Sequence, residues 1–404
     1  MESVISKSDE RALMKIFFFL IDMNLGGTEK SLLNLIDTLP GNTDITIMMM
    51  REHGELLSAI PAHVRIQVID HSEDVCHAIE SNFVTLAKEQ LGKGRLLSAC
   101  RAILYYMRSK MEKGADLYYR FMEHLLPQQL EQYDVAVAYA GPNTFISNYV
   151  LDKINAKQKI QWVHFDVNKI YFDVSINRNL FHKFDKIICV SGDVQGHLLK
   201  KIPELAAKTE VRYNVIPYQT IDKLSNEAAP AMDLSRNNKI VTVGRLTEEK
   251  GHLAFLPTFR KLKDAGLDFV WYIVGDGNCR QELKTKIQEL ELQSEVILLG
   301  KQMNPYPYMK QADIYLQPSR YEGHCVTILE AKYLHKAIVC TDFSGAREEL
   351  EDMKTGLITS FDDADKLEKL SRIITDTTLR SHLETALEEE QLQQSSEKVY
   401  PFWQ

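Results

Sequence analysis

Pro318-Ser-Arg-Tyr-Glu-Gly-His-Cys-Val-Thr-Ile-Leu-Glu330 follows the run Asp313 to Gln317, which reads as a buried strand. Val326 to Leu334 reads as the next helix, with Ile328, Leu329 and Ala331 facing inward. Glu322 therefore falls in a strand-to-helix loop, where doubly wound folds bind their ligands, and Glu330 projects from the helix. Backbone N–H groups at the start of such a helix are free to hold an anion. A carboxylate beside an anion site suits one task, gripping the hydroxyls of a sugar whose phosphate lies nearby.

Working outward, strand and helix signals alternate along the chain, which implies parallel sheets. One strand series comprises Leu13–Ile21, Asp44–Met50, Val64–Ile69, Asp134–Tyr139, Lys159–His164, Asp185–Val190 and Val211–Pro217. A second restarts at Lys239–Gly244 and continues through Asp268–Val274, Glu295–Leu299, Asp313–Gln317, Lys336–Thr341 and Gly356–Thr359. Tyr218 to Asn238 has little periodicity and reads as a linker. The pattern predicts an α/β protein of two doubly wound domains facing across a cleft. Residues 1–217 form the first and 218–385 the second. Residues 386–404 form a tail whose aromatic end, Val399-Tyr-Pro-Phe-Trp-Gln404, is expected to pack back toward the first domain.

The 404 residues are 45% hydrophobic and 26% charged, as in an ordinary globular protein with full cores. A net charge of −8 argues against a general nucleic-acid binder. Between Lys88 and Arg120, eight basic residues against three acidic ones leave the segment at +5. Interleaved Leu96, Leu97, Ile103, Leu104, Tyr105, Tyr106 and Met107 suit a basic amphipathic helix on an anionic membrane; a surface helix packed on its own domain is the alternative. The longest apolar run, Ile16 to Ile21, is too short to cross a bilayer, and residues 1–13 lack signal-peptide character. Six scattered cysteines read as free thiols in a reducing cytoplasm, and none has zinc-ligand spacing.

Other motifs fall at strand ends. Gly26-Gly27 follows the first strand and opens a helix over Lys30 to Leu39, where the backbone can approach a ligand closely. The spacing is not the dinucleotide fingerprint, and a packing turn is the alternative. Gly244-Arg245 ends the first strand of the second domain, and Lys250-Gly251 opens a helix. Two cations there oppose the helix dipole unless an anion joins them, and a diphosphate fits that need; ion pairing with Glu248 or Glu249 is the alternative. Gly275-Asp276-Gly277 suits a tight turn at the cleft as well as a ligand contact. His164 ends a strand where an imidazole can bond a sugar hydroxyl or a phosphate oxygen. Asp363-Ala-Asp365 looks like a metal-binding D-x-D, yet Asp362 or Asp363 reads better as a helix cap, so no metal is assigned. The Ser344-Gly345 backbone is expected to line the phosphate or sugar pocket.

Taken together, Gly244-Arg245…Lys250-Gly251, Gly275-Asp276-Gly277 and Glu322-x7-Glu330, with Gly26-Gly27 and His164, resemble retaining GT-B glycosyltransferases of family 4, the glycosyl transferases group 1. The resemblance spans nearly the whole chain and implies two Rossmann-like domains closing over a nucleotide-sugar donor without a metal or other cofactor. By it, Arg245 and Lys250 neutralise the diphosphate, Glu330 accepts from the ribose, and Glu322 holds donor-sugar hydroxyls. Backbone N–H groups from Gly323 through His324 and Cys325 to Val326 assist, with Thr327 alongside. Gly26, Gly27, Gly244 and Gly275 line the ligand, and His164 contacts the sugar. Two departures stand out: His324-Cys325 replaces the usual Phe-Gly or Phe-Pro, and the chain stops at Trp403-Gln404, so a crossover helix is expected to be short or missing.

The expected function is transfer of a hexose or N-acetylhexosamine from UDP-sugar, less so GDP-sugar. The acceptor is a glycan, lipid-linked, for capsule, exopolysaccharide or lipopolysaccharide, at the cytoplasmic side of the plasma membrane. A sugar-nucleotide epimerase of the same fold, or a non-catalytic partner subunit, are the rivals.

Overall fold

The computed structural model describes residues 14–69, 87–88, 91–92, 94–100, 103–104, 129–229, 232–233, 235–394 and 402–403. Most of the basic segment 88–120 lies outside the described residues.

Two parallel sheets organise the chain. The first holds β1 (Lys15–Leu20), β2 (Asp44–Met49), β3 (Arg65–Val68), β4 (Gln132–Gly141), β5 (Asn155–Val163), β6 (Lys186–Cys189) and β7 (Thr209–Val211). Their order is β3-β2-β1-β4-β5-β6-β7. The second holds β8 (Lys239–Val243), β9 (Val270–Val274), β10 (Val296–Gly300), β11 (Ile314–Gln317), β12 (Ala337–Thr341) and β13 (Leu357–Thr359), in the order β10-β9-β8-β11-β12-β13. Both sheets reverse winding direction once, between β1 and β4 and between β8 and β11, and ligands of doubly wound folds bind outside the strand C-termini at such points.

The strands are apolar on both faces because helices cover both. In β1, Ile16, Phe18 and Leu20 enter one core layer while Phe17 and Phe19 enter the other. In β9, Trp271 and Ile273 face one layer and Val270, Tyr272 and Val274 the opposite one. A period-two alternation between two buried faces produces the continuous hydrophobic run that marks parallel strands.

Differences from expectation are local. The strand expected over Val211–Pro217 ends at Val211, and the supposed linker contains a helix, Tyr218–Ser225. Ile221 and Leu224 of that helix pack into the second domain's core. Two apolar anchors in eight residues are too few to stand out as a period. The helix expected from Lys30 begins at Gly27, with Gly26 as its N-terminal cap. The helix Thr377–Gln394 runs through residue 385. Phe402 is buried in the first domain's core, 6.1 Å from the Phe18 ring and 5.5 Å from Trp162.

Candidate active site

The second sheet builds the site at its switch point. After β8 the chain makes a short turn, Glu248–Lys250, and passes through Gly251 at φ +69° into the helix His252–Asp264. A Cβ on Gly251 would stand 2.0 Å from the Pro318 carbonyl oxygen, so only glycine lets this turn lie against the loop after β11. The Arg320 N–H donates to the Glu249 carbonyl at 2.7 Å and fastens the two loops together. Lys250 is thereby set beside Glu322: its Nζ lies 2.6 Å from Oε1 and 2.9 Å from Oε2. Burial pulls the ammonium's pKa down most strongly, but the charge and hydrogen bond of Glu322, together with the neighbouring Cys325, leave Lys250 above the ordinary lysine value. Glu322 Oε1 also accepts from Ser319 Oγ at 2.6 Å and from Gln317 Nε2 at 3.3 Å.

Arg245 points elsewhere. Its side chain is 58% exposed and its guanidinium lies 3.5 Å from Glu249. Arg245 thus forms the surface ion pair with Glu249, and Lys250 pairs with Glu322. Packing requires glycine at two positions after β9. A Cβ on Gly275 would meet the Gly244 carbonyl oxygen at 1.8 Å, and one on Gly277 the Leu246 carbonyl oxygen at 2.4 Å.

The helix Val326–Tyr333 carries the second glutamate. Glu330 is fully buried; its Oε1 accepts from the Tyr306 hydroxyl at 2.9 Å and lies 3.5 Å from Lys30 Nζ of the first domain. Its Oε2 has no hydrogen-bond partner among the described residues. At the helix start, the anion-holding role expected of the backbone is only partly open. The Cys325 N–H donates to buried Glu349 at 2.5 Å, and burial raises that carboxyl well above the usual range. Burial also pushes up the Cys325 thiol. Val326 is buried in the first turn, and the Thr327 hydroxyl turns inward to Gln317 Oε1 at 3.1 Å. His324, expected to line the donor pocket, is held by the segment between domains. Its Nδ1 accepts from the Asn214 N–H at 3.1 Å and its carbonyl from Asn214 Nδ2 at 3.3 Å.

The first domain meets this surface through backbone contacts. A Cβ on Gly323 would lie 1.9 Å from the His164 carbonyl oxygen, which explains the glycine after Glu322. His164 is buried, with Tyr139 at 4.5 Å and Trp162 stacked at 6.1 Å. Burial lowers its pKa to about 3, so the ring is neutral, and its Nε2 has no partner among the described residues. Gly27 opens to free space, whereas the Glu29 carboxylate folds back against Gly26. Glu348 of the second domain accepts from the N–H groups of Gly192 at 2.7 Å and Asp193 at 2.5 Å. Asp193 returns a bond by accepting from Gly345 N–H at 2.7 Å, which places that glycine in the contact between the domains. Ser191 Oγ donates to Gly323 O at 2.8 Å. Asp362 caps its helix by accepting from the N–H groups of Ala364 and Asp365. No group of metal-ligating side chains occurs among the described residues.

Residues 226–389 match the family described as glycosyl transferases group 1. The second domain belongs to this family. Across 204 residues the chain is 32% identical to a Campylobacter jejuni protein named N-acetylgalactosamine-N,N'-diacetylbacillosaminyl-diphospho-undecaprenol 4-alpha-N-acetylgalactosaminyltransferase, covering 50% of this chain and 54% of the relative. A glycosyltransferase of Methanocaldococcus jannaschii is 30% identical over 42% of this chain and 43% of its own. The chain thus spans about half the length of these two relatives. A second C. jejuni protein, named as an alpha-1,4-N-acetyl-D-galactosaminyltransferase, is 23% identical over 92% of both chains. Anabaena Alr3699/HepE in complex with UDP-glucose superposes with a TM-score of 0.67 at 17% identity, over 94% of this chain and 95% of that one. Group 1 membership and this likeness give the fold its name, GT-B.

Sequence reasoning missed the partners that this group 1 domain gives its two glutamates: Gln317, Ser319, Tyr306 and Lys30. Gln317 carried a signal, since an amide at the end of a buried strand needs partners.

Proposed function

We propose that this protein is a retaining glycosyltransferase that moves a hexose or N-acetylhexosamine from a UDP-sugar to a lipid-linked glycan acceptor, without a metal. The observation that carries this reading is the largely buried Lys250–Glu322 pair at the switch point of the second sheet, with Arg245 exposed nearby. The names of the C. jejuni relatives, which specify N-acetylgalactosaminyl transfer and a diphospho-undecaprenol acceptor, favour an N-acetylhexosamine and a polyprenyl-linked glycan.

In this reading the donor diphosphate enters between Arg245 and Lys250. Arg245 turns from Glu249 to bind it in fork geometry, and Lys250 contributes a point charge. Glu330 accepts from the ribose through its unpartnered Oε2, and Glu322 accepts from donor-sugar hydroxyls. His164, neutral, offers Nε2 to the sugar from the other domain. As the bond from the anomeric carbon to the phosphate oxygen breaks, the two cations stabilise the charge on the departing UDP. The acceptor oxygen bonds to the anomeric carbon on the same face, and its proton passes to the leaving phosphate.

For membrane attachment, the described part of the basic segment supplies exposed apolar side chains: Leu96, Leu97 and Leu104 are each more than 60% exposed. With the segment's excess of cations they suit the surface of an anionic bilayer, at the cytoplasmic face of the plasma membrane. No helix among the described residues is long and apolar enough to span a membrane.

Calorimetry with UDP, GDP and their sugars tests the donor assignment. Binding of UDP by the wild type, weakened by ~1.5–3 kcal/mol in Arg245→Ala, is expected for a charged hydrogen bond. Equal UDP affinity in the two chains would remove the diphosphate from this place.

A further inference from the structure

We infer that Gln317 is a positioning residue for the reaction: it transmits a one-way chain of hydrogen bonds that fixes the Glu322 carboxylate when Lys250 turns to the donor diphosphate. This rests on the assignment of Glu322 as the donor-sugar ligand.

The chain can be followed proton by proton. Gln317 is the last residue of β11, 1% exposed. Its carbonyl oxygen accepts from two hydroxyls, Tyr315 at 2.7 Å and Thr327 at 3.1 Å. The carboxylate at the other end decides which way the amide faces: Glu322 Oε1 only accepts, so the opposite orientation would set the amide oxygen against it, whereas the two hydroxyls can turn to donate. The NH2 group then donates to Ser319 Oγ at 2.8 Å and to Glu322 Oε1 at 3.3 Å. Ser319 Oγ, its lone pair occupied by the amide, has its proton free for Glu322 Oε1 at 2.6 Å. Ser319 is fully buried, and its carbonyl is held in turn by the Thr341 hydroxyl. Every proton in the set points toward Glu322.

The division of labour on the carboxylate follows. Oε1 receives Ser319, Gln317 and Lys250, whereas among the described residues Oε2 receives Lys250 alone. When Lys250 moves to phosphate, Oε1 keeps two neutral donors and Oε2 is released for a sugar hydroxyl. A carboxylate with neither donor would swing on the side chain's free torsions, and a small misplacement of a binding group costs turnover steeply. In this relay Tyr315 and Gln317 reach the substrate only through Glu322.

The test compares dissociation constants by calorimetry for UDP and for whichever binds more tightly of UDP-N-acetylgalactosamine and UDP-N-acetylglucosamine. Wild type, Glu322→Gln, Gln317→Met and Tyr315→Phe are measured. Gln317→Met keeps side-chain length without the amide; Tyr315→Phe removes one hydroxyl from the Gln317 carbonyl with little change of shape and serves if the methionine variant does not fold. In both, UDP affinity is expected to stay within about twofold, while the ratio of the UDP-sugar constant to the UDP constant rises about tenfold. A ratio that rises in Glu322→Gln but not in these two variants overturns the relay alone. An unchanged ratio in Glu322→Gln overturns the assignment of Glu322, and the relay falls with it. Equal weakening of UDP and UDP-sugar in Gln317→Met also overturns the relay, since it would mean a general disturbance of the loop.

Discussion

Glu322 and Glu330 stand one short helix apart, yet they are held in opposite ways. Glu322 is gripped from within its own domain, by Lys250, Ser319 and Gln317. Glu330, fully buried, takes one bond from Tyr306 of its own domain and its nearest cation, Lys30, from the other. The first carboxylate is therefore organised whether or not the domains meet, and the second gains its counter-charge only when they do. A site that closes over a donor needs both: a part ready before binding, and a part completed by closure.

The sharpest way to break this contrast is Glu322→Gln. Loss of an oriented charge at the reacting sugar is expected to lower turnover by about 10²–10³-fold, roughly 2.7–4 kcal/mol. The same change strips Lys250 of its counter-charge, and an unpaired cation that is only 19% exposed is costly. The variant should melt lower than wild type when free, and UDP should raise its melting temperature by more, because the diphosphate replaces the missing carboxylate. Equal shifts in the two chains would mean that Lys250 does not meet the nucleotide.

Gly323→Ala attacks the other half. The new Cβ would stand 1.9 Å from the His164 carbonyl oxygen, and backbone on both sides leaves little room to relax. Overpacking of this kind costs ~1–3 kcal/mol, spent here on closure and not on the folding of either domain. X-ray scattering should show a more open particle, with turnover down and the melting temperature nearly unchanged. A particle as compact as wild type would sink the claim that glycine is required by domain contact. Lys30→Met is the milder version. It removes the cross-domain partner of Glu330 and should weaken closure by about 1 kcal/mol, roughly a fivefold shift in the open population. Scattering reads it, and no change beside a normal Gly323→Ala response would make Lys30 incidental.

The sequence exposes the two halves of this contrast unequally, for a physical reason. The alternation of strands and helices, the Lys250 turn and the place of Glu322 follow from local signals: apolar strands, glycines and charges within a few residues of each other. The cross-domain set does not. Lys30, Ser191, Asn214 and Glu348 lie far apart in the chain and look like ordinary surface residues until the fold brings them together. His324 shows the limit well. Its departure from the family's phenylalanine was visible, but that its Nδ1 accepts from Asn214 depends on where the segment after β7 runs. The helix Tyr218–Ser225 was missed for the opposite reason, since its few apolar anchors give no recognisable period.

His324 also supplies the smallest test of the comparison. Burial lowers its pKa to about 4, and protonation of Nδ1 would abolish the bond from Asn214. An unfolded histidine takes up its proton near pH 6.5, so between about pH 6.5 and 4 the unfolded chain binds a proton that the folded chain refuses. Stability therefore falls as the pH drops through that window, by at most about 1.4 kcal/mol per pH unit from this ring, and by less because it is partly exposed. In His324→Phe that contribution disappears, leaving a flatter acid limb and a small loss at neutral pH from the missing hydrogen bond. The difference between the two chains isolates the ring, because Glu29, raised by burial to about 7, and Glu349, also raised, titrate with the opposite sign. Parallel acid limbs in urea melts of the two chains would show that the Asn214 bond does not depend on a neutral imidazole, and the cross-domain half of the site would then lack its pH-sensitive member.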